Sequence, residues 1–196
     1  MKFYDVIVIG GGAAGLMCAL QAGRRNRKVL ILDHAKSIGG KILISGGGRC
    51  NFTNLSVSSA QYVSNNPHFC KSALSRFQPS DFISFVEKHK IKFHEKKLGQ
   101  LFCDHTAQDI LNMLIAECEE VKVEIKPGHT VKNISKINEQ FQLKTHQEEY
   151  ACSSFVIATG GLSIPKLGAT AFGYEVAKQF GLKIIQTRAE LDGFIL

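Results

Sequence analysis

The glycine-rich segment that follows the first apolar run constrains this chain most. Val6–Ile9 is continuously apolar, as in a parallel strand covered on both faces, and it leads directly into Gly10-Gly11-Gly12-Ala13-Ala14-Gly15. These residues fit the pattern G-x-G-x-x-G, in which the glycines permit a tight turn, close approach of a pyrophosphate and close helix–strand packing. The segment therefore predicts a phosphate-binding turn at the start of a helix, where free backbone amides favour anions.

The residues after this turn have the order that dinucleotide binding requires. We expect a helix over Ala13–Arg25 and a second strand over Lys28–Asp33, which together with the first strand make a right-handed βαβ unit. Asp33 lies eighteen residues after Gly15, at the end of the second strand, where a carboxylate can accept hydrogen bonds from ribose hydroxyls. The alternative is a solvated aspartate in a turn. The complete series of elements favours dinucleotide binding.

The remainder of the chain alternates helical and strand patterns. Gly39–Asn54 is rich in glycine and is predicted to be a long loop. Helices are predicted over Ser80–His89, over Thr106–Glu119 with a capping box of Thr106 and Asp109, and over Thr170–Phe180. A strand pair is predicted within Lys92–Cys103, and four further strands over Val121–Ile125, His129–Ile137, Gln140–Thr145 and Tyr150–Ala158.

This order of elements favours FAD over NAD. A plain NAD-binding domain continues with alternating helices and strands, whereas here a run of strands ends in Ala158-Thr159-Gly160-Gly161. The order resembles the glutathione-reductase-like FAD-binding Rossmann fold, an α/β fold in which a β-meander interrupts the parallel sheet. We expect a βαβ unit over residues 1–54, a helical insertion over about 58–120, a β-meander with its closing turn over about 121–161, and a final helix over about 170–181. The alternative for Ala158–Gly161 is a simple strand-ending turn.

The segment Ile44–Asn54, with the sequence ISGGGRCNFTN, is the part of the chain that is most diagnostic of a protein family. Together with Gly10–Gly15 and Ala158–Gly161, it resembles the YhiN-like flavoproteins, also known as the BaiN/RdsA or aminoacetone oxidase family. The resemblance covers essentially the whole chain, but members of that family are about twice as long. We therefore expect an N-terminal half, and Arg188–Leu196 departs from the hydrophobic, proline-associated stretch expected there.

The resemblance implies FAD as cofactor, with NAD(P)H as a candidate electron donor, and it assigns site residues. The pyrophosphate would lie on Gly10, Gly12, Ala13, Ala14 and Gly15, and the adenosine would contact Asp33 through its ribose and Val131 through its adenine. The flavin would lie beside Lys41, Ser45, Gly46, Gly47, Gly48, Arg49, Cys50 and Asn51. The turn that closes over the nucleotide would be Thr159, Gly160 and Gly161. A guanidinium can stabilise a reduced flavin and an amide can hydrogen-bond its carbonyls, but Arg49 and Asn51 can equally brace the glycine loop.

Composition limits the classes of partner and of metal site that the chain can have, but it does not identify a partner. The net charge of +7 mildly favours an RNA partner, although the cluster Arg24–Lys28 also suits the C-terminus of the first helix. Six cysteines without a C-x-x-C pair argue against a zinc site or a redox dithiol, and the histidines have no metal-ligand spacing, so no metal is assigned. We expect a cytoplasmic protein with reduced thiols and no membrane segment.

The predicted function is that of an FAD-dependent oxidoreductase, or its nucleotide-binding half, which transfers hydride to or from a small-molecule or nucleobase substrate. Flavin chemistry needs no protein nucleophile, and no catalytic residue is assigned. The first alternative is a truncated, non-catalytic dinucleotide-binding module. The second is a plain NAD-binding dehydrogenase domain, in which the meander and its closing turn would be unnecessary.

Overall fold

The computed structural model describes residues 1–187 as a mixed α/β fold. The strands are β1 (Lys2–Ile9), β2 (Val29–Leu32), β3 (Asn51–Asn54), β4 (Phe93–Glu95), β5 (Gln100–Cys103), β6 (Glu124–Lys126), β7 (Val131–Ile137), β8 (Gln140–Thr145) and β9 (Glu149–Ile157). The helices are α1 (Ala13–Gly23), α2 (Gly40–Ile44), α3 (Lys71–Arg76), α4 (Pro79–Lys88), α5 (Ala107–Glu120) and α6 (Phe172–Gln179). None of these helices is long and apolar enough to cross a membrane. The segment Arg188–Leu196 lies outside the described residues.

The main sheet has the order β6-β2-β1-β9-β8-β7. The first four of these strands are parallel, and β7, β8 and β9 form an antiparallel meander. The meander returns β9 to the side of β1, with Val8 opposite Val156, so that the carboxyl ends of β1 and β9 lie together. The predicted glutathione-reductase-like, FAD-binding type of Rossmann fold is therefore confirmed.

Both faces of the central strands are covered. Val8 of β1 packs on one face with Leu16 of α1 and Leu114 of α5, and all three side chains are almost fully buried. On the other face, Ile7 packs in a cluster that includes Leu143 of the meander and Val176 of α6. A strand buried on both faces cannot show polar alternation, which is why its sequence is continuously apolar.

Three local predictions are wrong in part. Gly39–Asn54 is not simply a loop: it forms α2, a short 3₁₀ turn and β3, which pairs with β5 in a second sheet of order β3-β5-β4. Of the four strands predicted between residues 121 and 158, the first, β6, lies parallel to β2 at the far edge and outside the meander. Thr106 caps α5 by accepting the Gln108 N–H at 3.3 Å, but the Asp109 carboxylate does not accept the Thr106 N–H as the predicted capping box requires. The predicted division of the chain into a βαβ unit, a helical insertion, a β-meander with its closing turn and a final helix remains a proposal.

The helical layer is held together by a buried carboxylate that the sequence did not reveal. Glu117 of α5 is 2% exposed and accepts hydrogen bonds from Arg24 at 2.7 Å, Lys88 at 2.6 Å and His89 at 2.6 Å. Burial alone would raise the pKa of Glu117, but the bonds from Lys88, His89 and Arg24 outweigh it and lower the pKa to about 2. Arg24 of the predicted basic cluster is thus a partner of Glu117, which fastens the end of α1 and the end of α4 to α5.

Candidate functional site

The turn from β1 to α1 is packed so closely that most of its glycines admit no side chain. Gly10 has φ +113°, and a Cβ there would overlap the carbonyl oxygen of Ala158 at the end of β9. A Cβ on Gly15 would overlap the carbonyl oxygen of Gly10, so the helix and the turn touch backbone to backbone. Gly12 is different, because its φ is −84° and a Cβ there would meet nothing within 4 Å. The turn therefore leaves open space only where a ligand would approach.

The N-terminus of α1 faces this space, and no side chain among residues 1–187 caps it. Gly12 is the N-cap residue and supplies no side-chain oxygen, and the first turn contains no acidic residue. Ala13 and Ala14 are exposed, so no bulky side chain covers the first amides. These amides carry the partial positive charge of the helix, which a capping side-chain oxygen or a bound anion can compensate. The geometry is that of an anion-binding site made of backbone.

Asp33 fixes the shape of this turn. One carboxylate oxygen, Oδ2, accepts the Gly11 N–H at 2.6 Å, and the other, Oδ1, accepts the Ala35 N–H at 2.8 Å. The side chain is 12% exposed and lies at the carboxyl end of β2, where the sequence placed it. The contact with Gly11 was not predicted. It shows that Asp33 braces the glycine turn, while each oxygen retains lone-pair capacity for a ribose hydroxyl.

The end of β9 and the start of β7 reach the same edge of the sheet. The Ala158 N–H donates to the Ile9 carbonyl at 2.8 Å, which places the following residues, Thr159, Gly160 and Gly161, beside the glycine turn. Gly160 has φ +74° and turns the chain away from the sheet. The His129 N–H donates to the Asp33 carbonyl at 2.7 Å, so that Val131, two residues later, begins β7 close to the end of β2.

Lys41 joins the glycine-rich loop to the β9–α6 connection. Its helix, α2, is attached to the turn by the Gly39 N–H, which donates to the Gly11 carbonyl at 3.0 Å. The Lys41 ammonium donates to the Gly161 carbonyl at 3.4 Å and to the Ser163 hydroxyl at 3.1 Å. Nothing in the sequence pointed to Ser163 as its partner, because the two residues are 122 positions apart. Lys41 therefore fastens two segments that flank the candidate site.

The 3₁₀ turn Ser45–Gly48 presents mostly backbone. Gly46 and Gly47 are left-handed at φ +59° and +67°, and a Cβ on Gly46 would lie 2.7 Å from Cε1 of the Phe102 ring. Gly48, at φ +85°, completes the turn, and the Ser45 carbonyl accepts the Cys50 N–H at 3.0 Å. This turn can approach a ligand closely because it carries almost no side chains.

Arg49, Cys50 and Asn51 have different surroundings. The Arg49 side chain is exposed, and within residues 1–187 it forms no ion pair. Cys50 is buried at φ +47°, and burial raises the pKa of its thiol, so it is a poor nucleophile. In the orientation that satisfies its surroundings, the Asn51 amide donates to the carbonyls of Thr53 at 3.2 Å and Leu101 at 3.3 Å. The Asn51 amide nitrogen thus braces the loop, and the exposed Arg49 side chain can meet a ligand.

Comparison with known proteins agrees with this geometry. Residues 4–189 match the family described as the HI0933-like protein Rossmann domain. The chain belongs to the HI0933-like family. It is 53% identical over 196 residues to a ribosomal RNA dihydrouridine synthase from Escherichia coli K12, covering 100% of this chain and 49% of that protein. It is 29% identical over 177 residues to a 3-dehydro-bile acid delta(4,6)-reductase from Clostridium scindens, covering 89% of this chain and 43% of that one.

The solved structures support the fold of this HI0933-like chain. The THI4 protein of Thermovibrio ammonificans superposes with a TM-score of 0.57 at 14% identity, covering 92% of this chain and 64% of the other. At that identity the likeness concerns the fold alone. The chain spans about half the length of the two curated relatives.

Proposed function

We propose that this chain is the FAD-binding half of a flavoprotein oxidoreductase that reduces a ring C=C bond of uridine in ribosomal RNA. The observation that carries the FAD assignment is the open space above Gly12, inside a turn where Gly10 and Gly15 leave no room for a Cβ. A turn packed this closely and left open at one point suits a ligand that approaches the backbone itself.

The residues around this space fit FAD. The amides of Gly12, Ala13 and Ala14 would take the pyrophosphate, and the lone pairs that Asp33 retains would take the ribose. Val131 and Gly160 lie at the same sheet edge and would close over the adenosine. The open 3₁₀ turn and the cationic Arg49 would lie beside the isoalloxazine ring, where a guanidinium stabilises negative charge. Bound FAD supplies hydride transfer, with NAD(P)H as the proposed electron donor.

The proposed substrate rests on the relatives. Dihydrouridine differs from uridine by two hydrogen atoms added across one ring double bond, so that the name of the 53%-identical relative describes a reduction. The bile acid reductase is also named for a reduction, but its identity is much lower at 29%, which favours the RNA substrate over a steroid-like one. Because the relatives are about twice as long, activity is proposed for a protein that includes the second half. The six free cysteines suit the reducing cytoplasm, where we place it.

The test begins with uptake of FAD by the purified chain, measured by flavin absorbance that survives gel filtration. The holoprotein is then joined to the second half of the E. coli relative and incubated with NADPH and unmodified ribosomal RNA. We expect dihydrouridine in the RNA hydrolysate by mass spectrometry, and none when Gly12→Val replaces the parent chain. Flavin reduction by a small primary amine, with no dihydrouridine formed, would refute the substrate assignment.

A non-catalytic dinucleotide-binding module is the second candidate, because the chain matches 49% of its relative. The same experiment separates the two functions. A module that retains FAD but gives no product, with RNA or with amine, in the presence of the second half would support this candidate.

A further inference from the structure

The segment around β4 carries a row of basic side chains on one face. Lys92, His94 and Lys96 alternate with Ile91 and Phe93, and the first three are exposed while the other two are partly buried. Alternate residues of an extended chain point to the same side and lie about 6.6 Å apart. The Lys92 carbonyl accepts the Asp104 N–H and the Lys96 N–H donates to the Gln100 carbonyl, both at 3.0 Å, so the extended geometry holds along the whole row. Lys92, His94 and Lys96 are called the β4 row.

The charge of this row is mostly uncompensated. Within residues 1–187, neither Lys92 nor Lys96 forms an ion pair. Two carboxylates are near: Asp104 contacts His94 at 2.7 Å, and Glu95 accepts the Gly99 N–H at 2.9 Å. Lys90 and Lys97, also exposed and outside any such pair, extend the positive surface at both ends. A solvated basic face is the usual interpretation of such a run, but here Lys92 and Lys96 directly flank an edge strand, β4, and lie on one face of it.

The β4 row lies next to the Ser45–Asn51 loop, which is proposed to contact the flavin. The Lys96 ammonium lies 5.2 Å from the centroid of the Phe102 ring, and the His94 ring stacks on the same ring at 6.4 Å. The Phe102 ring also packs close to Gly46, and the Phe102 backbone lies opposite Asn51 in the β3–β5 pair. Arg49 precedes Asn51 by two residues and adds an exposed cation at that point. Basic side chains on both sides of Phe102 in the strand pairing therefore link the β4 row with the loop that is proposed to contact the flavin.

We propose that the β4 row binds the phosphodiester backbone of single-stranded RNA and leads it toward the Ser45–Asn51 loop. The Lys92 and Lys96 ammonium groups lie on one face at the two ends of β4, where they suit a polyanion that runs along the strand, and the net charge of +7 agrees with such a partner. The inference deepens the proposed function and rests on it for the choice of RNA. The proposed contacts are to phosphate groups, which position the strand without reading its sequence.

The test is a fluorescence anisotropy titration of labelled oligouridylate with the whole chain at several KCl concentrations. Each phosphate contact contributes about 0.7 to the slope of log affinity against log salt for single strands, so Lys92→Gln/Lys96→Gln should lower the slope by about 1.4. At moderate salt this corresponds to about a tenfold loss of affinity. The control, Lys132→Gln/Lys178→Gln, removes the same charge from exposed lysines on β7 and α6 and should change affinity by less than about twofold.

Further measurements make each outcome decisive. Lys92→Arg/Lys96→Arg keeps the charge and should bind as the parent does, which separates loss of charge from loss of fold. Equal losses in the β4-row variant and in the control, or sedimentation with phosphatidylglycerol vesicles in preference to RNA, would overturn the proposal. FAD content is measured in the same samples. RNA binding that depends on the β4 row in a chain that takes up no flavin would overturn the proposed function alone, and flavin uptake without that dependence would overturn only the present inference.

Discussion

Replacement of Gly12 by valine separates cofactor binding from folding more cleanly than any other change in this chain. Gly12 lies at φ −84° and ψ −172°, an extended conformation that valine adopts readily, and a Cβ there meets nothing within 4 Å. The helix loses a tolerated N-cap glycine, which costs up to about 1 kcal/mol. The lower entropy of the unfolded chain offsets about 0.4–1 kcal/mol of this. The free energy of unfolding should therefore change little.

Cofactor affinity should fall steeply in the same variant. The branched side chain would occupy the space through which a pyrophosphate reaches the first amides of α1. Loss of two charge-assisted hydrogen bonds costs about 3–6 kcal/mol, at about 1.5–3 kcal/mol for each bond. At 1.4 kcal/mol per factor of ten, the dissociation constant for FAD should rise by about 10²–10⁴-fold.

Calorimetric titration with FAD and thermal unfolding of the same samples measure both effects. Gly40→Val is the matched control, because a Cβ on Gly40 also meets nothing within 4 Å and Gly40 is not a proposed cofactor contact. Gly15→Val is the contrasting variant, since its Cβ would overlap the Gly10 carbonyl and should prevent folding. Normal FAD affinity in a folded Gly12→Val protein would refute the assignment of the turn as the phosphate site.

Three further changes test the surroundings of the site and the packing of the helices. Asp33→Ala removes the acceptor of the Gly11 and Ala35 amides, and we expect a loss of about 1–3 kcal/mol of stability by denaturant titration together with weaker, but not abolished, FAD binding. Lys41→Met should leave the melting temperature nearly unchanged and weaken FAD binding, because it frees the β9–α6 connection; unchanged affinity would contradict this role. Glu117→Gln should cost about 3 kcal/mol at neutral pH, since lowering its pKa from 4.5 to about 2 corresponds to that energy at 1.36 kcal/mol per pKa unit. This stability is complete above pH 4.5 and is lost as the pH falls toward 2, so Glu117→Gln should lack that acid dependence, whereas the parent and the control Glu139→Gln, at an exposed ion pair, should both show it.

The sequence predicted those parts of the fold that depend on local pattern. The apolar run of β1, the glycine turn and the helix after it were assigned correctly because each has a periodicity or a residue type that admits few alternatives. The meander was recognised from alternating strands and its turns at Asn138 and Gln147. The second sheet was missed, because β3 is the polar segment Asn51–Asn54 and becomes a strand only by pairing with β5. Long-range pairing of this kind has no local signal.

The candidate site shows the same division. Gly10–Gly15 and Asp33 were placed together by the βαβ pattern, and Thr159–Gly161 was added to them by the resemblance to the YhiN-like flavoproteins. The partners of these residues did not follow: the sequence could not show that Asp33 holds the Gly11 amide or that Lys41 reaches Ser163. Glu117 was missed for a related reason, since its three hydrogen-bond partners lie 28 to 93 residues away.

The most direct test of the central claim is an amide-resolved NMR titration of the 21.6 kDa chain with ADP. ADP carries the linked phosphates and the adenosine but needs no contact with an isoalloxazine ring, so the half-length chain suffices. The account predicts that the largest shifts fall on the amides of Gly11–Gly15, with smaller ones at Asp33 and Val131, and that they vanish in Gly12→Val. Saturable ADP binding that leaves the Gly11–Gly15 amides unshifted would contradict the account.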